Sequence, residues 1–76
     1  MIKILYFASL KEAAKRESEQ VDAAGKTIAE LKALLMERHS ITLDGAMTAV
    51  NEEFTEDETI LHDLDTVAFI PPVSGG

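Results

Sequence analysis

One stretch of this chain has the length and spacing of a full helix, and that single helix constrains the fold more than any other feature. Thr27 and Glu30 have the spacing of a capping box, and Ile28, Leu31, Leu34 and Leu35 then recur at helical intervals to about His39. A stripe of this kind has to be covered. With 76 residues and no cysteine, the chain has neither a disulfide nor a thiolate cluster to compensate for a thin core, so it needs dense packing or a partner. The other apolar segments have strand periodicity, and a sheet is therefore the cover.

The first strand spans about residues 2–7, with Ile2, Ile4 and Tyr6 on one face and Lys3, Leu5 and Phe7 on the other. Both faces are mostly apolar, the pattern of a central strand, and Lys3 marks the less deeply covered side. Ser9 and Glu12 repeat the capping-box spacing and predict a short helical turn through Leu10, Ala13 and Ala14. The segment Glu19 to Asp22 is expected to pair with the first strand. Asp44-Gly45 predicts a turn before a strand at about 46–50, and Asn51-Glu52-Glu53 a turn into a short element at Phe54. Leu61 to Leu64 reads as one tight helical turn. Thr66 to Ile70 closes the sheet until Pro71-Pro72 ends the ladder, because proline has no N–H to donate.

This order predicts an α+β fold, a mixed sheet with one main helix packed across one face. One helix covers one face only. The side bearing Lys3, Leu5, Phe7, Ala68 and Ile70 is expected to stay partly open, as a surface for a partner. No repeat or internal linker interrupts the chain, so residues 1–71 are expected to form one domain and residues 72–76 a flexible tail ending in Gly-Gly. The apolar run Ile4 to Ala8 is too short for a signal peptide or a membrane span. With no cysteine to oxidise, the cytoplasm is the expected location.

Charge narrows the partners. Against 7 basic residues stand 14 acidic ones, a net charge of −7, which disfavours nucleic acid and anionic membrane. All the lysines and arginines lie between Lys3 and Arg38, whereas residues 39–76 carry 8 acids and no Lys or Arg. Such a half either solubilises the chain or steers it to a basic surface.

The usual catalytic patterns are missing. His39 and His62 have no ligand spacing, and His39 is expected to serve as a helix C-terminal cation. The run Glu52, Glu53, Glu56, Asp57 and Glu58 lacks the order of a hard-metal loop. Gly25-Lys26-Thr27 lacks the upstream glycine of a phosphate-binding loop. No metal and no bound cofactor are expected, and the chain has no evident active site of its own. Chemistry can still be placed at the C-terminus. A Gly-Gly end has no Cβ, can enter a narrow channel extended, and presents a carboxylate that nucleotide activation would turn into an acyl donor.

The opening Met-Ile-Lys-Ile-Leu-Tyr-Phe-Ala, the Ala-Val-Asn at Ala49 to Asn51, and the closing Val67-Ala68-Phe69-Ile70-Pro71-Pro72-Val73-Ser74-Gly75-Gly76 resemble the small sulfur-carrier subunit of molybdopterin synthase, a ubiquitin-like β-grasp family. The closing decapeptide is the specific part, and residues 11–24 carry no signature. The resemblance implies that Gly76 is adenylated with ATP by a ubiquitin-activating-like adenylyltransferase and converted to a thiocarboxylate. It further implies that the tail, with Gly75 threading the channel, inserts into the large catalytic subunit of a heterotetramer, where the sulfur passes to a pyranopterin precursor. The open face and tail then predict partner contacts by Phe7, Ile70, Pro71, Pro72, Val73 and Ser74. Three alternatives stay open: a sulfur carrier for thiamine synthesis, against which Pro-Pro-Val-Ser argues, a ubiquitin-like modifier joined to lysines through Gly76, and an interaction module with an inert tail.

Overall fold

The computed structural model describes residues 1–43 and 45–72. The order along the chain is β1 (Ile2–Tyr6), α1 (Ser9–Ala14), β2 (Ser18–Val21), α2 (Ile28–His39), β3 (Met47–Val50), β4 (Glu53–Phe54) and β5 (Thr66–Ile70). The strands form one mixed sheet in the order β2-β1-β5-β3-β4. The central pair, β1 and β5, is parallel with Ile4 beside Val67 and Tyr6 beside Phe69, and every other pairing is antiparallel. Parallel neighbours need a long crossover, which here runs through the rest of the chain and includes α2.

α2 begins as its sequence predicts. Thr27 accepts from the Glu30 N–H while the Glu30 carboxylate accepts from the Thr27 N–H, so the capping box is closed in both directions. The exposed Glu30 carboxyl is held below its ordinary value chiefly by that backbone bond. The helix ends at Ser40 in the left-handed region. Ile28, Leu31 and Leu35 are buried with Ile2, Ile4, Tyr6, Val67 and Phe69 in one core cluster. Fully burying a Leu or Ile contributes about 1.5–3 kcal/mol, and Leu35→Ala is expected to cost about 2–5 kcal/mol of stability in a urea melt.

Two local expectations are corrected. Ser9 does not cap α1: the N-cap is Ala8, at φ 51°, with no side-chain cap. β1 stops at Tyr6, and the chain must turn within Phe7 and Ala8 for Leu10 and Ala14 to reach the core. The helix therefore starts one residue earlier, on Lys11 and Glu12 N–H bonds to the Ala8 carbonyl at 3.0 and 3.4 Å. Leu61 to Leu64 is not helical either. Leu61 is buried and tied to the loop before α2, donating to Lys26 O at 2.8 Å and accepting from Gly25 N at 2.8 Å. The following turn is closed by Asp65 N donating to His62 O at 3.1 Å and by the Asp65 carboxylate accepting from His62 N at 2.9 Å, with Leu64 at φ 74°. The expected turn at Asp44-Gly45 falls partly outside the described residues; Gly45 itself has φ +80°.

Candidate functional site

Strand alternation gives the sheet a covered and an open face. On the open face, the cross-strand pairs Leu5 with Ala68, Ala49 with Ala68, Ala49 with Phe54, and Met47 with Ile70 set apolar side chains beside one another. Phe7 follows the end of β1, where its N–H still reaches Phe69 O at 3.3 Å. Phe7 and Phe54 are 46% and 69% exposed, large values for phenylalanine in a small domain and enough to make this face a candidate docking surface. A shallow hollow of about 460 Å³ is lined by Leu5, Phe7, Ala49, Thr66 and Ala68 together with Asn51 and Glu52.

The structure brings Phe7 and Ile70 onto the same face, as the alternation requires. Pro71 is half-buried and Pro72 exposed. Pro72 Cγ would lie 3.8 Å from a Cβ added at Gly45, so the chain leaves the sheet alongside the turn before β3. Val73, Ser74, Gly75 and Gly76 lie outside the described residues. Sequence reasoning missed Met47, Ala49 and Phe54 on this face. The alternation of Met47 and Ala49 held the signal, but only the register with β5 shows which face they share.

Asn51 acts as a clamp. Its N–H donates to Thr66 O at 2.8 Å, its side-chain oxygen accepts from Thr66 N at 3.0 Å, and its side-chain nitrogen donates to Asp65 Oδ1 at 2.9 Å. The β3–β4 hairpin is thereby tied to the start of β5. The Asp65 carboxyl is held below its ordinary value by the His62 N–H first and the Asn51 amide second.

A polar cluster that no local motif announces sits on the opposite face. Glu19 lies on the edge strand β2, at a position whose partner Ile4 is core. Tyr6 Oη donates to Glu19 Oε2 at 2.6 Å, and His39 Nε2 lies 2.6 Å from the same oxygen. Arg16 and Arg38 approach Oε1 at 3.6 and 3.7 Å. The Glu19 and His39 side chains are each only 8% exposed. His39 does end a helix, yet what it meets is this carboxylate. An inward-pointing charge also guards an edge strand against pairing with another chain.

Burial opposes ionisation of Glu19, but the hydrogen bonds from Tyr6 and His39 and the nearby charges outweigh it and hold the carboxyl below its ordinary value of 4.5. Burial first, and then the Glu19 carboxylate, push the Tyr6 phenol well above its ordinary value of 10.0. A depressed carboxyl contributes stability that is complete above its unfolded value and is lost as pH falls through the folded one. Glu19→Gln is therefore expected to lower stability near neutral pH by about 1–3 kcal/mol. It should also flatten the decline in urea midpoint as pH falls below about 4.5. An unchanged acid slope in the variant would show that Glu19 carries none of that decline.

Among the described residues no three metal-ligating side chains converge, and no helix is long and apolar enough to cross a membrane. The acidic run is not wholly free: Asp57 pairs with Lys32 at 2.8 Å.

A mixed five-stranded sheet holding one long helix on one face, with its first and last strands paired in parallel at the centre, defines a ubiquitin-like β-grasp protein. The chain belongs to the ThiS family, which it matches over residues 4–76. It is 35% identical over 81 residues to the molybdopterin synthase sulfur carrier subunit of Escherichia coli K12, with 100% of both chains covered. Among solved structures it is similar to the complex of subunits 1 and 2 of molybdopterin-converting factor from Helicobacter pylori, at 27% identity and a TM-score of 0.73, covering 99% of this chain and 97% of that one. The small archaeal modifier protein 1 of Methanosarcina acetivorans shares the fold, with a TM-score of 0.83, 23% identity and 99% and 95% coverage.

Proposed function

We propose that this protein is the sulfur carrier of a molybdopterin synthase, with Gly76 as the residue that carries sulfur. The full-length likeness to the Escherichia coli sulfur carrier subunit supports this reading above all. In the proposed cycle the Gly76 carboxylate attacks the α-phosphate of ATP on an adenylyltransferase and pyrophosphate leaves. A sulfur nucleophile then displaces AMP, and the thiocarboxylate that results passes its sulfur to a pyranopterin precursor inside the large subunit. This chain's own part is to dock, to present a tail without side-chain bulk at Gly75 and Gly76, and to be recharged. The apolar open face carrying Phe7 and Ile70 is the proposed docking surface, with Pro71, Pro72, Val73 and Ser74 leading the tail from it.

Intact-mass measurement of the protein purified from its own cells tests this. The expected species is heavier than the free carboxylate by one oxygen-to-sulfur exchange, and that increment should disappear in Gly76-deleted protein. Isopeptide-linked conjugates on lysines, with no sulfur-bearing form, would instead identify a modifier. A sulfur-bearing form that restores thiamine synthesis and not molybdopterin synthesis would move the carrier to the other pathway.

A further inference from the structure

The β3–β4 hairpin breaks a local rule at the edge of the open face. Asn51 and Glu52 form its two-residue turn with φ 50° and 70°, the left-handed pair that such a turn requires and that normally selects glycine at the second position. A glutamate there is strained without a compensating bond: among the described residues, no cation or hydrogen-bond donor pairs with the Glu52 side chain. Strain retained at a residue that stabilises nothing locally points to function. The same turn makes Glu52 one of the residues lining the hollow, together with Leu5, Phe7, Ala49 and Ala68. Neighbouring Glu53 is opposite Val50 in the register, so it alternates away from that face.

We infer that Glu52 is a specificity-determining residue of the docking face, held by the strained turn to receive a basic side chain of the large subunit whose aliphatic stem lies along the apolar hollow. Charge and shape agree on this occupant. Arginine and lysine combine an apolar stem with a cationic head, and the residues lining the hollow combine apolar Leu5, Phe7, Ala49 and Ala68 with the unpaired acid Glu52. Residues 39–76 supply no lysine or arginine to compete for that carboxylate, and Lys3, which lies beside Thr66 on this face, makes no ion pair with Glu52 among the described residues. The inference rests on the proposed docking of this face to the large subunit and adds what that subunit must present.

The test measures binding of the full-length chain to the large subunit of the same organism at low and high salt, for wild type, Glu52→Gln, Glu52→Gly and Glu53→Gln. Glu52→Gln is expected to weaken binding roughly tenfold at low ionic strength, with the gap narrowing to about twofold at high salt as screening takes over. Glu53→Gln should bind as wild type. Glu52→Gly separates function from structure: it relieves the turn, so its thermal midpoint should equal or exceed that of wild type while its binding falls as far as that of Glu52→Gln. Wild-type affinity and salt dependence in both Glu52 variants would overturn the inference while leaving the docking face intact. A wild-type chain that does not bind the large subunit at all would overturn the docking reading, and the inference with it.

Discussion

Removing Gly76 is expected to end sulfur transfer outright while leaving the thermal midpoint of the domain where it was. The buried core runs from Ile2 to Phe69, and the ladder ends at Ile70. A residue seven positions beyond the last core side chain contributes little to folding. In the proposed cycle the sulfur is carried on the Gly76 carboxylate. The deletion moves the terminal carboxylate back to Gly75, about 3.5 Å short along an extended chain, so it no longer reaches the reacting groups. A complementation assay for molybdopterin synthesis should read background for the deletion, beside a normal circular dichroism melt. Gly75→Val should act in the same direction, because a β-branched side chain fills space that an extended bare backbone needs. Cofactor synthesis sustained by the truncated chain would remove the proposed role of the terminus.

Two adjacent residues should respond in opposite ways to the same substitution. Phe69 is fully buried and stacked on Tyr6, with ring centroids 6.4 Å apart and planes at 24°. Phe69→Asp places an unpaired carboxylate in the core, an effect larger than about 4 kcal/mol. That is most of the stability of a domain this small, so the variant is expected to be unfolded at room temperature. Ile70 lies one position on, half-buried on the open face opposite Met47. Ile70→Asp should fold normally and lose about 2–4 kcal/mol of binding to the large subunit, because docking would desolvate the new charge. Melting curves and titration calorimetry on the two variants read both effects. An unfolded Ile70→Asp beside a folded Phe69→Asp would reverse the assignment of the faces.

The periodicities behind these predictions were legible before any coordinates. Alternation at Ile2, Ile4 and Tyr6, and again at Val67 and Phe69, placed the core face of both central strands. The 3.6-residue spacing after Thr27 placed α2 and its cap. These signals are local: each depends on residues within a turn or a strand of one another, where backbone geometry alone dictates which side chains share a side. The two failures have different physical causes. At Ser9 the short link from β1 shifted the helix start, and at Leu61 two hydrogen bonds to the loop before α2 displaced a helical turn.

What only the tertiary structure decided is which separate segments meet. Tyr6, Glu19 and His39 belong to three different elements, and nothing in the order of residues announces that one carboxylate oxygen serves both the phenol and the imidazole. The extent of the open face likewise depends on register: Phe54 joins it because β4 sets that residue opposite Ala49, and a slip of one position would send it to the other side. Local sequence determines the faces that each element offers, since that follows from backbone period. The pairing of those faces follows from burying the α2 stripe and the β1 and β5 core positions together, an energy that exists only once the whole chain has closed.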